Sequence, residues 1–78
     1  MSEYHVTASW DDEAKVWIGT SDDVPGLCVE ARTLEEFIEV AADLIPELLR
    51  LNGALPQGAA APVSFRVTAE RSAMARAH

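Results

Sequence analysis

The segment from Thr33 to Asn52 constrains the fold most, because it is the one long stretch with helical periodicity among shorter stretches that alternate. Thr33 and Glu36 form a Thr-x-x-Glu capping box, which is typical of a helix start. Gly53 is a C-terminal stop signal. Pro46 interrupts the hydrogen bonding of the segment. These signals predict one kinked helix, and a break before the proline into two shorter helices is the alternative.

The apolar arc of this predicted helix is wide, at roughly 200° for 100° per residue. One side of the helix collects seven apolar residues: Leu34, Phe37, Ile38, Ala41, Ile45, Leu48 and Leu49. A second apolar stripe lies on the flank of the first and contains Val40, Leu44 and Leu51. The remaining arc is charged and carries Glu35, Glu36, Glu39, Asp43, Glu47 and Arg50. An arc of this width needs more cover than one sheet provides.

Two explanations account for the second stripe, and both stay open at this point. The C-terminal segment of the same chain could cover Val40, Leu44 and Leu51. Alternatively, a helix of a second subunit packs there, which the small size of the chain favours. The second explanation predicts a homodimer or a higher oligomer.

Four period-2 stretches predict strands at residues 3–10, 15–20, 27–31 and 63–70. Pro25 and Gly26 suit the two central positions of a type II turn before the third strand, and Asp22 and Asp23 suit the same turn region. The order is β-β-β-α-β, and the helical crossover allows the fourth strand to pair parallel with the first. We therefore expect an α+β fold with one helix on one face of a sheet. The opposite face is polar except for Trp17, which is predicted to be an exposed contact for a partner or a subunit.

The charge of the chain is acidic and unevenly distributed. With 13 acidic and 6 basic residues, the net charge is −7. Residues 1–52 hold 12 acids and 3 bases, a balance of −9, whereas residues 53–78 carry +2. This balance argues against direct binding of a nucleic-acid backbone and favours a basic protein partner, for which Glu36, Glu39 and Asp43 are contact candidates.

Length and cysteine content place further bounds on the protein. The 78 residues suffice for one small domain, predicted at 1–71, with a flexible tail at 72–78. The single cysteine excludes an internal disulfide. The sequence shows neither a membrane-spanning run nor a signal peptide, so a cytoplasmic location without membrane contact is expected.

Candidate catalytic groups are sparse. Asp22 and Asp23 form a carboxylate pair that could hold Mg²⁺, although Asp is common in such turns for structural reasons. His5 and Cys28 have no partners at the spacing of a zinc site or a nucleophile–base pair. The sequence therefore predicts no catalytic residue, no metal and no cofactor.

The order of these motifs resembles the HicB-like antitoxin family over about residues 3–70. The resemblance is carried by the strand Val16-Trp17-Ile18, the turn 21–27 with its acidic pair before Pro25-Gly26, and the helix start Thr33-Leu34-Glu35-Glu36. The helix end, residues 45–52, is similar to a small, uncharacterised branch of HicB relatives.

The resemblance implies a partial ribonuclease-H-like fold and an antitoxin function. HicB-type antitoxins bind and block HicA, a small basic toxin that cleaves mRNA, and often form oligomers. They usually carry a C-terminal DNA-binding domain, for which this chain has no room after its last predicted strand. We thus expect a non-catalytic module that neutralises a HicA-like toxin without binding DNA itself. The alternatives are a degenerate metal-dependent nuclease using Asp22, Asp23 and Glu30, and a domain that only self-associates.

Overall fold

A computed structural model describes residues 3–54 and 63–75, which form a four-stranded mixed sheet and one helix. The elements are β1 (Tyr4–Asp11), β2 (Val16–Thr20), β3 (Val29–Ala31), α1 (Leu34–Leu51) and β4 (Phe65–Glu70). The strand order across the sheet is β3-β2-β1-β4. β1 pairs antiparallel with β2, β2 pairs antiparallel with β3, and β4 pairs parallel with β1. The predicted α+β class, element order and parallel fourth strand are confirmed.

The ends of α1 follow from the signals in the sequence. The Thr33 side chain accepts a hydrogen bond from the Glu36 backbone N–H at 3.1 Å, which satisfies one donor of the first turn. Asn52 is the C-cap, and Gly53 follows with a φ of +77°, a value that suits glycine. Pro46 lies inside a single helix. The prediction of one helix is confirmed, and the alternative of two helices is wrong.

The helix packs on the sheet through a close approach of Phe37 to Gly19. A Cβ atom placed on Gly19 would lie 2.2 Å from Cζ of the Phe37 ring. Phe37 itself is fully buried, so the ring has no open space into which it could retreat. The main contacts of α1 are with β3 and β2. Gly19 therefore provides the space into which the helix packs against the middle of the sheet.

The register of the β1–β2 hairpin overturns the predicted facing of β2. Trp17 pairs with Trp10, and Gly19 pairs with Ala8, so Trp17 lies on the helix side of the sheet. Its side chain is 8% exposed. The sequence predicts that Val16 and Ile18 face the helix and that Trp17 faces away, because two of these three apolar residues lie on the Val16 side of the strand. The prediction of an exposed Trp17 on the polar face is wrong, since the length of the hairpin loop determines which residues face the helix.

The buried stripe of α1 explains which apolar residues stay at the surface. Phe37, Ala41, Ile45 and Leu49 are buried at intervals of four residues. Because a helix has 3.6 residues per turn, each such step rotates the buried stripe by about 40° around the helix axis. Ile38 is 46% exposed, although the sequence groups it with the apolar side of the helix.

The loop before β3 contains the predicted turn. Gly26 has a φ of +84°, and the Leu27 N–H donates to the Val24 carbonyl at 3.1 Å. Val24 and Leu27 are both buried. β3 begins at Val29, two residues later than predicted, because this turn occupies Leu27.

Residues 71–75 are exposed and form no regular secondary structure. Residues 55–62, and residues 76–78 of the tail predicted at 72–78, lie outside the described residues. Within residues 3–54 and 63–75, no helix has the length and hydropathy needed to cross a bilayer.

Replacing Gly19 by alanine should destabilise the protein by about 2 kcal/mol, because the added methyl group overlaps the buried Phe37 ring. Urea unfolding followed by circular dichroism measures the change in the free energy of unfolding. A Phe37→Leu variant serves as the partner for a double-mutant cycle. We expect Gly19→Ala to cost less in the Phe37→Leu background, and additive effects would contradict direct contact.

Candidate protein-binding surface

The solvent side of α1 is an acidic face. Its carboxylates are all exposed and recur along the helix at Glu35, Glu36, Glu39, Asp43 and Glu47. The exposed Ile38 and Ala42 lie three and seven positions after Glu35, on the neighbouring strip of the helix surface. An exposed apolar strip beside charged side chains is the composition of a protein-binding patch, with an apolar centre and a polar rim. We call these seven residues the acidic face.

The flank formed by Val40, Leu44 and Leu51 is partly covered by the protein's own chain. Val40 and Leu44 are half-buried against the core, whereas Leu51 is 73% exposed. Near the end of α1, Leu48 lies 3.9 Å from the position of a Cβ atom on Gly26.

In the same region, the side-chain amide of Asn52 donates to the Pro25 carbonyl at 3.2 Å. The loop before β3 thus lies against this part of the helix, where the sequence suggested the C-terminal segment. The contact of a second subunit with Val40, Leu44 and Leu51 stays a prediction.

An aromatic and charged cluster lies at the end of the hairpin. The Trp10 and Trp17 rings meet edge to face, with their centroids 5.4 Å apart at an interplanar angle of 65°. The Arg71 guanidinium carbon lies 4.0 Å from the centroid of the Trp10 ring. An open cleft of about 360 Å³ borders this cluster and is lined by Ser9, Trp10, Asp12, Glu70, Arg71 and Ser72.

The carboxylate of Asp12 holds this cluster together at the surface. Its carboxylate accepts hydrogen bonds from Lys15 Nζ at 3.0 Å and from Trp10 Nε1 at 3.3 Å. The bond from Lys15, followed by the bond from Trp10, lowers the pKa of Asp12 below its usual range. Asp12 therefore stays ionised and holds the indole N–H.

The loop carboxylates are not equivalent. Asp23 accepts the His5 backbone N–H at 2.8 Å, and the Ser21 hydroxyl donates to the His5 carbonyl at 2.6 Å. The Ser21 oxygen also accepts the backbone N–H groups of Asp23 and Val24. Asp23 and Ser21 thus fasten the loop to the start of β1. This structural role agrees with the interpretation of Asp23 as a turn residue.

The other predicted site residues are at the surface without a common centre. Asp22, Cys28 and Glu30 are exposed, and Glu30 pairs with Ile18 across the sheet. On the same sheet face, His5 Nε2 and Thr68 Oγ1 lie 2.7 Å apart. Among the residues that the structure describes, no group of three or more His, Cys, Asp or Glu side chains is placed to hold a metal ion.

Trp10 and Arg71 were missed as surface features by sequence reasoning. The alternation of β1 places Trp10 on the helix side of the sheet with Val6 and Ala8, but Trp10 is only half-buried. The signal that could have identified the pair is the parallel register of β1 and β4. Ser9 pairs with Glu70, so the next residues along the two strands, Trp10 and Arg71, lie side by side.

The family of the chain follows from its sequence over almost its whole length. Residues 3–78 match the family described as a domain of unknown function, DUF1902. The chain belongs to the DUF1902 family. The match gives no evidence for the HicB-like family, so the HicB resemblance stays a prediction.

A solved structure shows the same fold as this DUF1902 protein. It is the crystal structure of hypothetical protein TTHA1013 from the extremely thermophilic bacterium Thermus thermophilus. The two proteins are 45% identical, and the alignment covers 94% of this chain and 99% of the other, with a TM-score of 0.77. No curated protein matches the sequence.

Substituting Asp23 by alanine should lower the free energy of unfolding by about 1–2 kcal/mol, because the His5 N–H loses its acceptor. Asp22→Ala, a change of the exposed neighbour, is the matched control and should stay within about 0.5 kcal/mol of the wild type. Chemical denaturation of the three proteins measures both effects. Equal stabilities of the two variants would contradict the structural role of Asp23.

Proposed function

We propose that this protein is a non-catalytic binding module that captures a small basic protein through the acidic face of α1. In this proposal it acts as a HicB-type antitoxin does on an mRNA-cleaving toxin, in the cytoplasm and as an oligomer. The β-β-β-α-β arrangement then corresponds to the partial ribonuclease-H-like fold of such antitoxins. The observation that carries the proposal is the row of exposed carboxylates along an 18-residue helix.

The electrostatics of the described surface support a basic partner. α1 carries five carboxylates and one base, Arg50, which gives the helix a charge of −4. Charges of one sign on one surface raise the local concentration of an oppositely charged partner and speed its association. The half-exposed Ile38 supplies apolar contact area within the same patch.

The helix offers a rigid platform for such an interaction. Its N-terminus is capped by Thr33, and its opposite side is anchored by Phe37 and Ile45, both fully buried. A surface held in one conformation loses little entropy when a partner binds. Trp17 takes no part in this proposed interaction, because its side chain is buried between the sheet and the helix.

Where a small basic reading frame lies beside this gene, co-expression with its product tests the proposal directly. We expect the two proteins to co-purify, and we expect co-expression to relieve the growth arrest that the basic protein causes alone. If the proteins do not co-purify, or if co-expression does not relieve the growth arrest, the antitoxin proposal is wrong. Self-association without any captured basic partner would instead favour a domain that only self-associates.

The double substitution Glu39→Lys/Asp43→Lys should slow association with the basic partner about tenfold at low salt, because it removes steering charges from the acidic face. The matched control is Glu13→Lys/Asp22→Lys, which changes two exposed loop carboxylates and alters the net charge equally. Stopped-flow or surface plasmon resonance measures the rates. The difference should shrink in about 1 M salt, where the Debye length is about 3 Å. Equal effects of both double variants would contradict a specific role for the helix.

A further inference from the structure

The outer edge of β4 is a free strand edge among the residues that the structure describes. β4 pairs with β1 on one side only, because it is the last strand in the order β3-β2-β1-β4. The other end of the sheet is formed by β3, which has only three residues, whereas β4 has six. β4 contains no proline, the residue that often protects an edge from pairing. The β4 edge is therefore the one suited to further strand pairing.

At every second residue of β4, the backbone N–H and C=O groups point away from β1. The Tyr4 N–H donates to the Ser64 carbonyl at 3.1 Å, so Ser64 directs its backbone groups towards β1. Backbone groups alternate between the two edges along a strand. Those of Arg66, Thr68 and Glu70 accordingly point towards β1. The backbone groups of Phe65, Val67 and Ala69 point to the free edge.

We propose that two copies of this chain dimerise by antiparallel pairing of their β4 edges, with Thr68 opposite itself at a twofold axis. In this register Arg66 lies opposite Glu70 of the second copy, and the symmetry repeats this pair. Val67 lies opposite Ala69 of the second copy, and both residues direct their backbone groups to the free edge. The two four-stranded sheets then form one continuous sheet of eight strands, the closed twofold arrangement most common among oligomers.

Charge complementarity selects this register over its neighbours. If Val67 lay opposite itself, Arg66 would face Thr68 of the second copy and Glu70 would face Ser64. If Ala69 lay opposite itself, Glu70 would face Thr68 and Arg66 would face Ser72. Both alternatives leave the charges without an opposite partner across the axis. Opposite charges directly across an antiparallel pair stabilise it.

The geometry of the pair adds to this preference. Because the outward backbone groups belong to Val67 and Ala69, Arg66 and Glu70 occupy the non-hydrogen-bonded positions. Cα atoms are closest at such positions, about 4.5 Å apart. Arg66 also bonds Glu3 of its own chain at 3.0 Å, with both side chains exposed. The guanidinium has five donors and can therefore bind both carboxylates.

The burial of β4 fits a missing neighbour. On the helix side of the sheet, Val6 and Ala8 of β1 are fully buried, whereas Phe65 and Val67 of β4 are half-buried and Ala69 is exposed. In the proposed register Val67 and Ala69, both on the helix side of β4, lie opposite each other. The helices of the two copies therefore lie on the same face of the eight-stranded sheet. Val67 and the facing Ala69 of the second copy both bury further apolar area.

The paired β4 strands are the interface of the oligomer in the proposed function, and their pairing does not depend on the basic partner. The test uses purified protein alone, so its failure is separate from a failure to capture a toxin. Light scattering and sedimentation equilibrium should show a dimer of 17 kDa for the wild type, twice the 8.5 kDa chain. A monomer at micromolar concentration would overturn the proposal.

Charge exchange tests the register. Arg66→Glu and Glu70→Arg should each raise the dimer dissociation constant at least about tenfold, because two opposite-charge pairs become like-charge pairs. The double variant Arg66→Glu/Glu70→Arg should restore the wild-type constant. An equimolar mixture of the two single variants should form a heterodimer, since each then supplies the charge that the other lacks. Circular dichroism checks that each variant keeps the wild-type fold.

The matched control is Arg32→Glu, the same change of charge at an exposed residue directly after β3. It should leave the dissociation constant unchanged. Dimers that persist in both single variants, or that are not restored by the exchange, would place the interface elsewhere, such as at Leu51, and would overturn the proposal.

Discussion

The packing of Phe37 against Gly19 is the contact on which the rest of the fold depends. It sets the distance between helix and sheet, because no side chain at position 19 separates them. With the ring in this place, the buried stripe from Phe37 to Leu49 crosses the sheet over β2 and β3. That position leaves the β4 side of the sheet with less cover and turns Ile38 towards solvent. The exposure of Ile38 and of the β4 side of the sheet therefore both accompany one close approach in the core.

Much of the architecture was predictable from local chemistry. The capping box at Thr33, the stop at Gly53 and the turn at Gly26 each specify a backbone conformation without reference to distant residues. The parallel partner of β4 was also predictable, since a helical crossover permits few connections. Asp23 could be assigned to a turn, although its bond to the His5 N–H could not be read from the sequence.

The facing of β2 was not predictable from composition, because apolar residues occupy both of its faces. Val16 and Ile18 outnumber Trp17, yet the hairpin register places Trp17 and Gly19 towards the helix. The informative signal was Gly19, since a glycine within a strand indicates close approach of another part of the chain. The candidate site was predictable in its charge but not in its apolar part. Ile38 is exposed because the buried stripe of the helix runs through Phe37 and Ala41 instead.

The parallel pairing of β1 with β4 has a consequence for how the chain folds during synthesis. His5 and Thr68 meet across this pairing although 63 positions separate them in the chain. The first three strands and the helix are synthesised before residues 65–70, so one edge of β1 stays open for that interval. Contacts of such long sequence separation form late and slowly. During this interval β4 of one chain can pair with the open β1 edge of another chain, which is domain swapping. The pairing of β1 with its own β4 is therefore the folding step most exposed to misassembly.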